Sequence, residues 1–186
     1  MSKLVVRLCG LVLPLLCLSA RAVEENPYKS AKVGDWIEHS SSTVTQMGNM
    51  TGKNKTTVTA MTDKEATLKL DIEAMGVKQS QEVKVPLDKP YDPNAVPGAD
   101  AKVEKLEEGD EKVTVGGKSY DCHWIRAKIT LIANGANTTG ESKSWICKEV
   151  PMGGLVKGET NVTAKMGEVS IQMKSTLELT GCGSAP

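Results

Sequence analysis

The chain reads as an all-β protein: a strongly curved antiparallel sheet or incomplete β-barrel of about nine strands, with one short helix. Three observations predict this. Apolar and polar residues alternate with a period of two through most of the chain, and helical periodicity is almost absent. Val and Thr enrich the alternating segments, while Gly-Gly, Asn-Gly and Met-Gly pairs punctuate them. The sequence has no Phe and only 3% aromatic residues, so its core must be assembled from Val, Ile, Leu, Ala and Met.

The first segment, residues 1–22, has the layout of a secretory signal. Lys3 and Arg7 open it, Leu8 to Leu18 form a short apolar core, and Ala20-Arg21-Ala22 supplies a small-x-small cleavage site. The apolar run is too short to span a bilayer as a stable helix. Leu16 precedes Cys17 where a lipoprotein signal wants a small residue, so no lipid anchor is expected there. Cleavage after Ala22 leaves residues 23–186 as one domain. Losing Lys3, Arg7 and Arg21 takes the formal balance from 23 − 23 = 0 to 20 − 23 = −3. A slightly acidic chain with scattered lysines carries no footprint for nucleic acid or an anionic membrane. No further segment reads as a transmembrane span, and a soluble exported product is expected, periplasmic or extracellular.

Strands are expected near Asp35–Met47, Lys53–Thr62, Ala66–Met75 and Val77–Val85. A Pro-rich linker, PLDKPYDPNAVPGAD at 86–100, follows, because its prolines cannot serve a central strand. Ala101–Glu108 is expected as the short helix. Strands resume near Lys112–Val115, Lys118–Ile132, Thr138–Val150, Leu155–Ala164 and Glu168–Thr180. The linker divides two meanders of one sheet, since either half alone would bury too little.

Turn chemistry sets the registers. Met75-Gly76 as a two-residue turn places Ala74 opposite Val77, Leu68 opposite Val83 and Ala66 opposite Val85. Gly116-Gly117 accepts the positive φ of a hairpin turn. Asn134-Gly135 as a type I′ turn sets Trp124 opposite Trp145, Lys128 opposite Glu141, Asp121 opposite Lys148 and Cys122 opposite Cys147. One pair, Arg126 with Lys143, is unfavourable.

In that register the two Cys and two Trp project from one face. Directly opposed Cβ atoms lie roughly 4.5–5.5 Å apart, near what a disulfide needs. A Cys122–Cys147 bridge would close a loop of about 25 residues and contribute perhaps 3 kcal/mol; the other reading is two free buried thiols. Trp124 and Trp145 form a structural aromatic pair. Cys182, in the terminal GCGSAP, is expected as a free tail thiol open to an intermolecular bridge.

Catalysis and metal binding find little support. Cys122 and His123 are strand neighbours and point to opposite faces, which denies a thiolate–imidazole dyad its contact. His39, the other histidine, lies far away in the first strand. There is no Cys-x-x-Cys, no pair of histidines at ligand spacing, and no nucleophile elbow or phosphate-cradling loop. The acidic residues Glu104, Glu107, Glu108, Asp110 and Glu111 lack the order of a calcium loop and read as a solvated face. No enzyme, metal or cofactor is expected.

Two features point elsewhere. Met47, Met50 and Met75 fall at turns that a meander brings to one end of the sheet, where adaptable thioethers form a rim for a lipid or another hydrophobic ligand. The competing reading is that Met fills gaps left by the missing Phe. Asn-x-Thr occurs at Asn49, Asn54, Asn137 and Asn161, acceptor sites for glycans only in a eukaryotic secretory pathway.

The run from Trp145 to Lys157, WICKEVPMGGLVK, preceded by Val115-Gly116-Gly117-Lys118-Ser119-Tyr120-Asp121-Cys122, resembles a segment of uncharacterised exported bacterial all-β proteins. The many antiparallel strands with a late Trp strand are more distantly similar to the half-barrel of periplasmic lipoprotein carriers. That resemblance implies acyl chains held on the concave face of the sheet. The expected function is non-catalytic binding of a hydrophobic small molecule or lipid in the concavity. The alternative is a structural or interaction module of the cell envelope, self-associating through Cys182 or sheet edges.

Overall fold

The computed structural model describes residues 26–46, 48–88, 99–133 and 136–184. The signal-like segment, Met47, most of the linker and the Asn134-Gly135 turn lie outside the described residues. Among the described residues a 3-10 turn, Pro27–Ser30, precedes nine strands: β1 (Trp36–Thr45), β2 (Gly48–Met61), β3 (Glu65–Ala74), β4 (Val77–Pro86), β5 (Ala99–Val115), β6 (Lys118–Ala133), β7 (Ala136–Ile146), β8 (Leu155–Met166) and β9 (Val169–Gly183). They form one antiparallel sheet in the order β4-β3-β2-β1-β9-β8-β7-β6-β5, which does not close into a barrel. β5 nonetheless touches β9 across three intervening strands, so this half of the sheet curls tightly.

The hairpin registers follow their turns. Ala74 pairs with Val77, Leu68 with Val83 and Ala66 with Val85. Met75 and Gly76, at φ 52° and 78°, make the primed turn that suits strand twist. Gly116 and Gly117 do the same at 58° and 80°. In β6–β7, Trp124 opposes Trp145, Lys128 opposes Glu141 and Arg126 opposes Lys143. The like-charge pair is relieved by neighbours: Arg126 bonds Glu141 at 2.8 Å and Glu107 at 3.4 Å, and Lys143 reaches Glu111 at 3.1 Å.

Three expectations need correction. Ala101–Glu108 is not a helix but part of the 17-residue strand β5. Isolated, an eight-residue helix would gain little, whereas Val103 and Lys105 align on Ile129 and Ala127 of β6, with the ladder slipping past Leu106 in a bulge. Asp121 does not meet Lys148; it pairs with Lys112 of β5, because β7 ends at Ile146. Cys182 is not a tail residue. It sits within β9 opposite Ile37 and packs, half-buried, against a core cluster.

Alternation sorts the sheet into an inner and an outer face. One inner row crosses six strands as Ala127, Ser142, Thr160, Ser175, Thr43 and Met50. All but Met50 are buried, although four of the six carry a hydroxyl. Small side chains suit the tight curl, and so does the absence of Phe. Gly140 makes the point most plainly, since a Cβ there would lie 2.1 Å from the Asn161 carbonyl oxygen.

Candidate ligand site on the sheet

The inner face is closed over β6–β9 and open over β2–β4. Ile125, Ala127, Ile129 and Leu177 are all within 2% of complete burial, so the curled half is filled by its own side chains. At the lower end of β2–β4, Val58, Ala66, Leu68 and Val85 are covered by Tyr28 and Leu87, with Met152 packed alongside. Tyr28 reaches this position because the Pro27–Ser30 turn is capped by Asn26, whose side chain accepts from the Tyr28 N–H and donates to the Pro86 carbonyl at 2.8 Å.

Above that cover the inner face is left partly bare. Leu70, Ile72 and Ala74 of β3 are half-buried, as is Met50 of β2, while Val77 and Val83 of β4 are 69% and 39% exposed. Leu68–Val83 and Ala74–Val77 are direct pairs, so these side chains share the face of the buried Leu68. Polar groups border the patch. Asn54 lies beside Ile72 and opposite His39, and its side-chain oxygen is buried with no partner among the described residues. His39 is buried and bonds the Leu155 carbonyl through Nε2 at 2.9 Å, and burial holds its pKa below the ordinary value of 6.5. It is a neutral structural group.

The methionine rim is only partly assembled. Met50 lies on the inner face; Met75 is 74% exposed at the β3–β4 tip and Met47 is outside the described residues. Met75 instead lines an open groove of about 510 Å³ with Ser40, Ser42, Lys53, Glu73 and Glu178, residues that alternate with the buried ones. No local pattern marks this groove, because its parts come from four strands and two halves of the chain.

Trp124 and Trp145 share Lys143, whose ammonium sits 4.2 and 4.5 Å from the two ring centroids. The Trp145 indole N–H and Lys143 both donate to Glu111, which holds that carboxyl below its ordinary pKa. Gly109 opposes Trp124 and leaves its ring room. This is a packed aromatic pair in a charged ladder. His123 bonds Asp110 at 2.9 Å and Glu108 at 3.3 Å on the face away from Cys122. Cys122 and Cys147 are free thiols in this structure, both buried in the cluster that Cys182 abuts. Burial first, then the neighbouring Cys147, pushes the Cys122 thiol up to about 11. The expected bridge is not formed here; Cys147 lies one residue beyond β7, and its N–H turns to the Gly154 carbonyl at 2.8 Å. The Asn-x-Thr residues Asn49, Asn137 and Asn161 are exposed, whereas Asn54 is half-buried.

No protein-family model matches the chain, and no curated protein matches it. Solved structures do. An exported protein with YmcC-like fold from Bacteroides fragilis aligns over 81% of this chain and 97% of its own, at 10% identity and a TM-score of 0.47. A lipoprotein from Parabacteroides distasonis covers 82% and 96%, at 12% identity and 0.44. An outer membrane lipoprotein-sorting protein domain from Vibrio parahaemolyticus covers 89% and 91%, at 8% identity and 0.28. The likeness is distant, and the functional reading rests on the residues of the sheet.

Proposed function

We propose that the mature chain is an exported, non-catalytic binding protein that takes one hydrophobic chain, such as a lipid acyl group, on the open inner face of β2–β4. The observation that carries this is the half-bare apolar patch of Met50, Leu70, Ile72, Val77 and Val83 beside a fully closed core. Burying apolar area of that kind is the main driving force available to a ligand there. Export is supported by the signal-like first 22 residues. The non-catalytic reading is supported by a Cys122 thiol that is scarcely ionised at neutral pH and by a His123 engaged with two carboxylates on the other face. Assembly through the edge strand β4 is disfavoured by its exposed Lys78, Glu82 and Lys84, since charges on an edge oppose pairing with another chain.

The test is a titration of the mature protein with a pyrene-labelled fatty acid. Saturable binding at one site is expected, weakened by about tenfold or more in Leu70→Asp and Ile72→Asp. Thr51→Asp, on the outer face, should leave it unchanged. Absent binding, or binding indifferent to the inner-face substitutions, would overturn the reading.

A further inference from the structure

We infer that Cys122 and Cys147 are the site of a cross-strand disulfide in the exported chain, and that Cys182 is kept out of it. The β6–β7 ladder runs without a slip through Trp124–Trp145 and ends at His123–Ile146; Cys122 is the next residue of β6 and Cys147 the first beyond β7, so both adjoin the last pair of that ladder. Both are buried, at 3% exposure, in a single core cluster. A disulfide needs its two Cβ atoms at about 3.5–4.5 Å. Cys147 has left the β7 ladder, and its backbone is tied to Gly154 and Val150 rather than to β6. Cys182 touches the same cluster from β9, but its strand partner is Ile37.

The chemistry balances as thiol–disulfide exchange. The two S–H bonds break and one S–S bond forms, with the two protons passing to the sulfurs of the oxidant. Two electrons reduce the disulfide of a thiol–disulfide oxidoreductase of the oxidising compartment to a dithiol. In the closed fold Cys122 and Cys147 are each only 3% exposed, out of reach of an oxidoreductase, and the same burial pushes the Cys122 thiol up to about 11. The bond therefore forms while the chain is still folding, before the cluster shuts. Once made, it ties β6 to the turn that opens the β7–β8 connection and fixes the end of the Trp124–Trp145 hairpin. It is independent of any ligand on β2–β4.

The experiment is a thiol count on the mature protein, collected after export in a bacterial host, unfolded and alkylated without reductant. One alkylated cysteine, Cys182, is expected, together with a protease fragment joining the Cys122 and Cys147 peptides that reduction separates. Three alkylated cysteines, or a link that includes Cys182, would overturn the inference. Thermal unfolding supplies a second readout that needs only wild type. Reductant should lower the midpoint, and the double variant Cys122→Ser, Cys147→Ser, where it folds, should match reduced wild type. A midpoint indifferent to reductant contradicts the bridge.

Discussion

His39 shows how much one buried polar side chain decides. It sits on the inner face of β1, donates to the Leu155 carbonyl across β9, and is held neutral by burial. In the unfolded chain its pKa returns to about 6.5. Above that pH neither state is protonated, and the full stability is present. Below it the unfolded state takes up a proton that the fold refuses, so stability falls as pH drops from about 6.5 towards the lowered folded pKa. Urea unfolding at about pH 7.5 and about pH 5.5 should show this loss in wild type and a smaller one in His39→Gln. Equal losses would show that the imidazole is not responsible. The sequence marks His39 only as a strand residue. Its role depends on Leu155, more than a hundred positions away, which no local pattern reveals. Ser142, Thr160, Ser175 and Thr43 were equally hidden: hydroxyl residues in an alternating strand read as ordinary solvent-facing positions, whereas here they are buried on the inner face.

At the level of hairpins, turn chemistry was legible and bulges were not. Met75-Gly76 and Gly116-Gly117 fixed their registers because a primed turn admits one pairing, and the apolar faces then agreed. Leu106 in β5 and the slips in the β1–β9 and β7–β8 ladders are invisible locally, because alternation resumes on either side and only the partner strand shows the offset. The same blindness turned Ala101–Glu108, a stretch of good helix formers, into an expected helix. Met75 offers a direct test of turn logic. A non-Gly residue at φ 52° pays the left-handed penalty that Asn tolerates better. Met75→Asn creates the favoured Asn-Gly turn and should raise stability by up to about 1 kcal/mol in urea unfolding. A destabilised variant would mean that the Met75 side chain makes contacts outweighing the strain.

For the whole molecule, the all-β class and the unclosed nine-strand sheet were readable from period-two alternation, but the division of labour within the sheet was not. Which half is filled and which is open depends on how tightly the sheet curls, and small inner residues such as Gly140 permit that only once their partners are known. The curled half from β5 to β9 is a self-filled core. The β2–β4 half keeps apolar side chains within reach of solvent, and the proposed ligand lies on that half. Native mass spectrometry of the mature protein, purified from its own host without detergent, tests it most directly. The account predicts excess mass on the folded monomer that organic extraction releases as a single acyl-bearing molecule. A bare monomer mass, unchanged after incubation with host lipid extract, would contradict it.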